Sequence, residues 1–129
     1  MGSVIALTNL QLEHEQKAAF IDALGDCVST GIGVARHFRS VMYIPMSYVD
    51  CENFNIPGGK ALNVYVWLPP KSIEVKRKIV QNFQEVVEKF FGENTVSLVV
   101  IIKEHTDENV GVDGVLRWDV KQRATPMMI

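Results

Sequence analysis

The chain has 129 residues, of which 47% are hydrophobic and 22% charged, with a formal net charge of -2. That balance excludes disorder for the bulk of the chain, and the length suits one domain whose core needs no disulfide or metal staple. The absence of a basic excess argues against a nucleic-acid or anionic-membrane partner. Cys27 and Cys51 form neither a CxxC pair nor a disulfide framework, which points to a reducing compartment. Met1-Gly2-Ser3 carries no basic n-region, and no apolar run reaches the length of a membrane span, so the expected location is cytoplasmic.

In chain order, Val4–Leu7 is a short apolar run that reads as a buried strand, ended by Thr8-Asn9. Glu13–Lys17 is polar and helix-prone. Phe20, Ile21, Leu24, Cys27 and Val28 then recur at helical spacing, and Gly31 or Gly33 supplies the stop. Ser40–Val49 mixes β-branched and aromatic residues and reads as a second strand, with Pro45 marking a bulge or an edge position. Asp50–Lys60 holds the turn formers Asn53, Asn55 and Pro57-Gly58-Gly59.

The order then begins again. Leu62, Val64, Val66 and Leu68 alternate with Asn63, Tyr65 and Trp67, the period of a strand that Pro69-Pro70 ends. Ser72 is a good N-cap, and Val75, Ile79, Phe83, Val86, Val87 and Phe90 form the stripe of a helix that stops at Gly92. Val96–Lys103 is a strand by its β-branched content. His105–Gly114 is polar and loop-like with turn points at Gly111 and Gly114, and Val115–Trp118 suggests one more short strand.

The organisation is a tandem β-α-β repeat with a period of roughly 60 residues, units at about 3–50 and 60–104 within one domain spanning 1–129. A crossover helix makes the two strands of each unit parallel. One apolar face per helix puts both helices on one side of a four-stranded mixed sheet, an α/β (α+β) architecture. The other sheet face, with Tyr65 and Trp67, is left bare and invites oligomerisation. Two folds share this order: the ferredoxin-like fold, which often dimerises sheet to sheet, and the tautomerase fold, which forms trimers. Periodicity alone leaves both open.

Leu62-Asn63-Val64-Tyr65-Val66-Trp67-Leu68 followed by Lys71-Ser72-Ile73-Glu74-Val75-Lys76 resembles the opening strand and helix start of the 4-oxalocrotonate tautomerase family. Ser97–Glu104 resembles that family's second strand, and Val110-Gly111-Val112-Asp113-Gly114 its closing turn. Ile5-Ala6-Leu7-Thr8-Asn9 resembles the opening of the macrophage migration inhibitory factor branch. The two-unit layout is similar to that of malonate semialdehyde decarboxylase and the cis-3-chloroacrylic acid dehalogenase group. The resemblance implies the tautomerase fold, a homotrimer, no cofactor, and proton transfer α to a carbonyl, or a related decarboxylation or hydration, in a small keto or enol acid.

The family's base is an amino-terminal proline exposed when Met1 is removed, assisted by arginines that hold a carboxylate. This chain has Gly2 in that place. Gly2 is small enough for Met1 to be removed, which leaves a primary α-amine able to act as a base or to form an imine. Lys71 stands where the family has a substrate-binding arginine, keeping the charge without the bidentate fork. Val99 replaces the other important arginine, Val110 an aromatic residue, and Pro69 one of the decarboxylase's two arginines. Arg36 falls near the decarboxylase's catalytic aspartate with the charge reversed.

The expected catalytic group is therefore the Gly2 amine, with Lys71, Arg36 and Arg39 as the substrate-binding cations. Arg36, His37 and Arg39 cluster between the first helix and the second strand, where they either bind an anion or form a solvated loop cluster. Lys71 precedes a helix N-terminus, which favours anions. His14, His105 and Asp107 read as exposed or loop polar groups, Cys27 as core, and Tyr43, Tyr65, Trp67 and Trp118 as sheet or subunit-interface packing. Asp50, Cys51 and Glu52 lack the spacing of a metal-ligand set, and no GxSxG, P-loop or dinucleotide fingerprint is present. Two other functions fit the same chain: a catalytically silent tautomerase-fold trimer used for binding or as a scaffold, and a ferredoxin-like dimer with a ligand-binding or oxygenase role.

Overall fold

The computed structural model describes residues 2–34, 39–47 and 59–124. The first repeat unit comprises strand β1 (Gly2–Thr8), helix α1 (His14–Ile32) and strand β2 (Arg39–Pro45). The second comprises β3 (Lys60–Leu68), α2 (Ile73–Phe91) and β4 (Val96–Glu104). A hairpin of β5 (Gly111–Val112) and β6 (Val115–Leu116) and a short helix α3 (Arg117–Ala124) follow.

The sheet order is β2-β1-β3-β4. β1 runs parallel to β2 and β3 parallel to β4, while β1 and β3 are antiparallel. Each unit thus keeps its two strands adjacent, unlike the split β-α-β arrangement of the ferredoxin-like order. β2 is an edge strand that ends at Pro45, which has no N–H to continue a ladder. The strand expected over Ser40–Val49 therefore stops short, since Met46 and Ser47 are not extended in the sheet, while Tyr48, Val49 and the turn formers up to Gly58 lie outside the described residues.

Helix ends follow local chemistry. Gly33 closes α1 in the left-handed conformation at φ 74°. Ser72 caps α2, its Oγ accepting from the Val75 N–H, and the Gly92 N–H donates to the Glu88 carbonyl. The two-residue turn of the hairpin, Asp113-Gly114, has positive φ at both positions, as a primed hairpin turn requires.

One face of the sheet is covered. Val4, Ala6, Leu62, Val64, Val66 and Leu68 are buried beneath Phe20, Leu24 and Val28 of α1 and Ile79, Phe83 and Val87 of α2. Phe20 sits edge-on to Tyr43, Phe90 and Phe91. The two units are also tied by polar groups. Buried Asn9 accepts from the Ala61 N–H at 2.8 Å and donates to the Gly59 carbonyl at 3.0 Å, and the Thr8 hydroxyl donates to the Ala61 carbonyl at 2.7 Å. These bonds satisfy backbone groups where β1 leaves the sheet.

The structure also corrects the expected last strand. Only Val115 and Leu116 are extended, and Trp118 belongs to α3 rather than to a strand. Trp118 and Val120 are half exposed on this helix, which has no apolar face to signal it. Ion pairs hold it instead: Asp107 meets Lys121 at 2.6 Å and Arg117 at 3.5 Å.

Among the described residues, no helix covers the opposite sheet face. Register aligns Met42, Ile5, Tyr65 and Ile101 in one row across all four strands, and Ile44, Leu7, Asn63 and Val99 in the next. Met42 is 63% and Ile101 40% exposed in the single chain.

Candidate functional site

The topology puts Gly2, Arg39 and the approach to Lys71 at one end of the sheet. Gly2 opens β1 and pairs with Arg39, the first residue of β2. Because β3 is antiparallel to β1, its C-terminal residues lie at the same end, with Ser3 opposite Trp67 and Leu68 opposite Glu104. β3 and β4 are one and two strand spacings from β1, about 5 and 10 Å. The chain then turns through Pro69-Pro70 to Lys71 and the N-terminus of α2. The start of β1 and the residues that lead into α2 therefore lie at the same end of the sheet.

Gly2 itself is buried against α1. A Cβ at this position would lie 2.5 Å from Cγ1 of Val28. Lys71 is half-buried and its Nζ has no ion-pair partner among the described residues. Its backbone N–H donates to Glu104 Oε2 at 2.6 Å, and Lys76 Nζ donates to Glu104 Oε1 at 2.9 Å. Glu104 thus closes β4 onto the first turn of α2. The Lys76 ammonium, then the Lys71 N–H, hold its carboxyl below the usual glutamate range.

That direction fixes a pH dependence. A depressed carboxyl pKa contributes stability above its unfolded value and loses it as pH falls through the folded value. The Lys71 amide should therefore titrate with a midpoint below the ordinary glutamate value of about 4.3. An amide chemical-shift titration checks this, and Glu104→Gln should remove the inflection.

Arg39 is placed differently from the sequence expectation of an anion-binding cation. Its side chain, 11% exposed, lies on α1 and pairs with Asp22 at 2.7 Å and with Asp26. Gly25 makes room for it, since a Cβ there would lie 2.5 Å from Arg39 Nε. Both guanidinium arms are held by carboxylates one helical turn apart, so Arg39 braces β2 against α1. Arg36 and His37 lie outside the described residues, as do Asp50, Cys51 and Glu52.

The remaining polar candidates stand apart. His14 is the exposed first residue of α1. Cys27 is buried, with its thiol pushed up to about 12, first by burial and then by Asp26. Among the described residues, no group of three or more His, Cys, Asp and Glu converges as a metal site, and no helix is long and apolar enough to cross a membrane.

Sequence reasoning missed two features of this end. One is Glu104, which reads only as the last residue of a strand. The other is a hollow of about 260 Å³ beyond β3 and β4, lined by Pro69, Pro70, His105, Asp107, Trp118 and Lys121. Nδ1 of His105 is buried there with no hydrogen-bond partner among the described residues. Its signal in the sequence was the pairing of a helix-breaking Pro-Pro after β3 with a His-x-Asp after the neighbouring β4, which only the register brings together.

Comparison with known proteins agrees with this geometry. Residues 62–120 match the family described as Tautomerase enzyme. No curated protein sequence matches the chain significantly. Among solved structures, Pt0534 inactivated by 2-oxo-3-pentynoate superposes with a TM-score of 0.80 at 16% identity, covering 91% of this chain and 98% of that one. A fused wild-type 4-OT symmetric trimer gives 0.78 at 17% identity over 92% and 98%. FG41 malonate semialdehyde decarboxylase inhibited by 3-bromopropiolate gives 0.73 at 14% identity over 93% and 95%. The family match falls on the second unit and the hairpin and helix after it, and the solved structures share the fold of the whole chain.

Proposed function

We propose that this tautomerase-fold chain is a cofactor-independent enzyme acting on a small keto or enol acid, with the Gly2 amine as its base. The observation that supports the reading is that the start of β1 and the residues leading into α2 lie at the same end of the sheet. Lys71, with no ion-pair partner among the described residues, is a cation suited to hold the carboxylate of a small acid. The neutral amine would take the proton α to the carbonyl and return it at the other end of the enol system. Lys71 would hold the carboxylate as a point charge, with Arg36 from the adjoining connection as a second cation. Arg39 would act through position, seating β2 and Gly2 rather than touching substrate.

Two neighbours were captured with small unsaturated acids, 2-oxo-3-pentynoate and 3-bromopropiolate, which supports the substrate class. Several neighbours are trimers, and the bare apolar rows on β1–β4 supply this chain with a matching surface, so the proposed assembly is a homotrimer.

The test uses 2-oxo-3-pentynoate as a probe. An amine adds to the alkyne carbon β to the ketone, forming one N–C bond while a proton moves to the α carbon. Intact-mass and peptide analysis should place one adduct per chain on Gly2 once Met1 is gone. An adduct on another residue, or none, would favour the silent-trimer reading. Lys71→Ala should weaken binding of a keto acid by about tenfold or more, the worth of a charge-assisted hydrogen bond. Equal affinity by titration calorimetry would remove Lys71 from the site.

A further inference from the structure

Glycine at position 2 is imposed by space, not by backbone conformation. Its φ lies outside the left-handed region, so any residue could adopt the backbone, yet an added Cβ would lie 2.5 Å from Val28 Cγ1 and 3.7 Å from Val28 Cβ. Val28 is fully buried in α1. A β-branched side chain in a helix has one strongly preferred χ1, so its methyl does not swing aside cheaply.

Nor can α1 retreat. Gly25 receives the Arg39 side chain so closely that a Cβ would come within 2.5 Å of it. Gly31 meets α2 in the same way, where a Cβ would lie 2.6 Å from Ile79 Cγ1 and 3.6 Å from its Cα. Asn82 of α2 also donates to the Cys27 carbonyl at 3.1 Å. The helix is held on both sides, and Val28 is a fixed wall over the first residue of β1.

We infer that Val28 restricts position 2 to glycine, so that the site presents an unbranched primary amine and can bind a 2-oxo acid covalently as an imine. This rests on the proposed role of the Gly2 amine. In that step the nitrogen lone pair attacks the carbonyl carbon and the displaced π pair takes a proton to form a carbinolamine. The C–O bond then breaks, the hydroxyl leaves as water with a second proton, and the nitrogen, having lost both its hydrogens, forms C=N. A primary amine gives a neutral imine, whereas a ring nitrogen can give only a cationic iminium.

The experiment is a double-mutant cycle on the full chain: wild type, Gly2→Ala, Val28→Ala, and both. Gly2→Ala keeps a primary amine of the same chemistry and adds only the Cβ. Each protein is incubated with pyruvate and cyanoborohydride, well below its own thermal midpoint, and reduced adduct on residue 2 is followed by mass spectrometry. Wild type should be trapped. Gly2→Ala should be trapped about tenfold more slowly, and Val28→Ala should restore most of that loss in the double variant, a coupling that independent sites would not show. The thermal midpoint should fall in Gly2→Ala and recover in part in the double variant. If Gly2→Ala is trapped as fast as wild type, or the two losses simply add, Val28 does not select the residue. If wild type is not trapped while the thermal cycle is coupled, the contact is real but imine formation is overturned. If neither amine-dependent turnover nor adduct appears in wild type, the catalytic reading fails first.

Discussion

Ile5→Asp should turn the proposed homotrimer into a monomer that still folds. Ile5 is paired with Met42 on one side and Tyr65 on the other, and Ile101 completes the row. These side chains point away from both helices, so in one chain they face water. A carboxylate in that row costs the monomer little. In an assembly closed over the same face it would be an unpaired charge in each copy, and breaking apolar packing with such a charge costs about 3–5 kcal/mol. The concentration needed for assembly should rise about a hundredfold or more. Sedimentation equilibrium at micromolar concentration checks both halves. Wild type sedimenting as a monomer or dimer would end the trimer proposal, and an Ile5→Asp trimer would move the interface elsewhere.

Much of this fold was legible because local and long-range signals agreed. β3 declared itself by strict alternation, and the buried and half-buried residues fall on that alternation from Ala61 onward in all but one step. Ser72, Gly33 and Gly92 marked helix ends by chemistry that needs no partner. α3 was missed for the converse reason. Its Trp118 and Val120 make no stripe, and its anchor is Asp107, which belongs to another segment.

The site was half legible. Gly2 and Lys71 could be named from the resemblance, but that the start of β1 and the end of β3 share one end of the sheet depends on the two strands being antiparallel neighbours. Arg39 shows the limit most clearly. As a residue it is a cation between two elements. Its fate is set by Asp22 and Asp26, which lie on one face of α1 with Gly25 between them. That pattern can be seen in the sequence, yet it acquires meaning only once β2 is known to lie beside β1 with Arg39 opposite Gly2. Glu104 is similar, since its partners Lys71 and Lys76 are distant in sequence and meet it only because β4 ends level with β3.

Blocking the amine should abolish turnover. The proposed base is the first nitrogen of β1, and removal of a positioned general base costs about 10²–10⁴ in rate. Acetylation makes that nitrogen an amide, which has no basic lone pair, while leaving the sheet, Lys71 and the Glu104 clasp intact. Retention of Met1 should act in the same way by moving the amine one residue beyond the strand start. With a free amine, activity towards a phenylpyruvate-like substrate should rise with pH, since only the uncharged form accepts a proton. Ordinary α-amines titrate at about 7.7–8.0. Only the uncharged amine is a base, so the rise with pH should be absent from the acetylated protein. Rates measured across neutral pH on intact, Met1-retaining and acetylated protein decide the matter. Equal turnover in all three would transfer any activity to other groups, and no turnover in any would leave the fold without its catalyst.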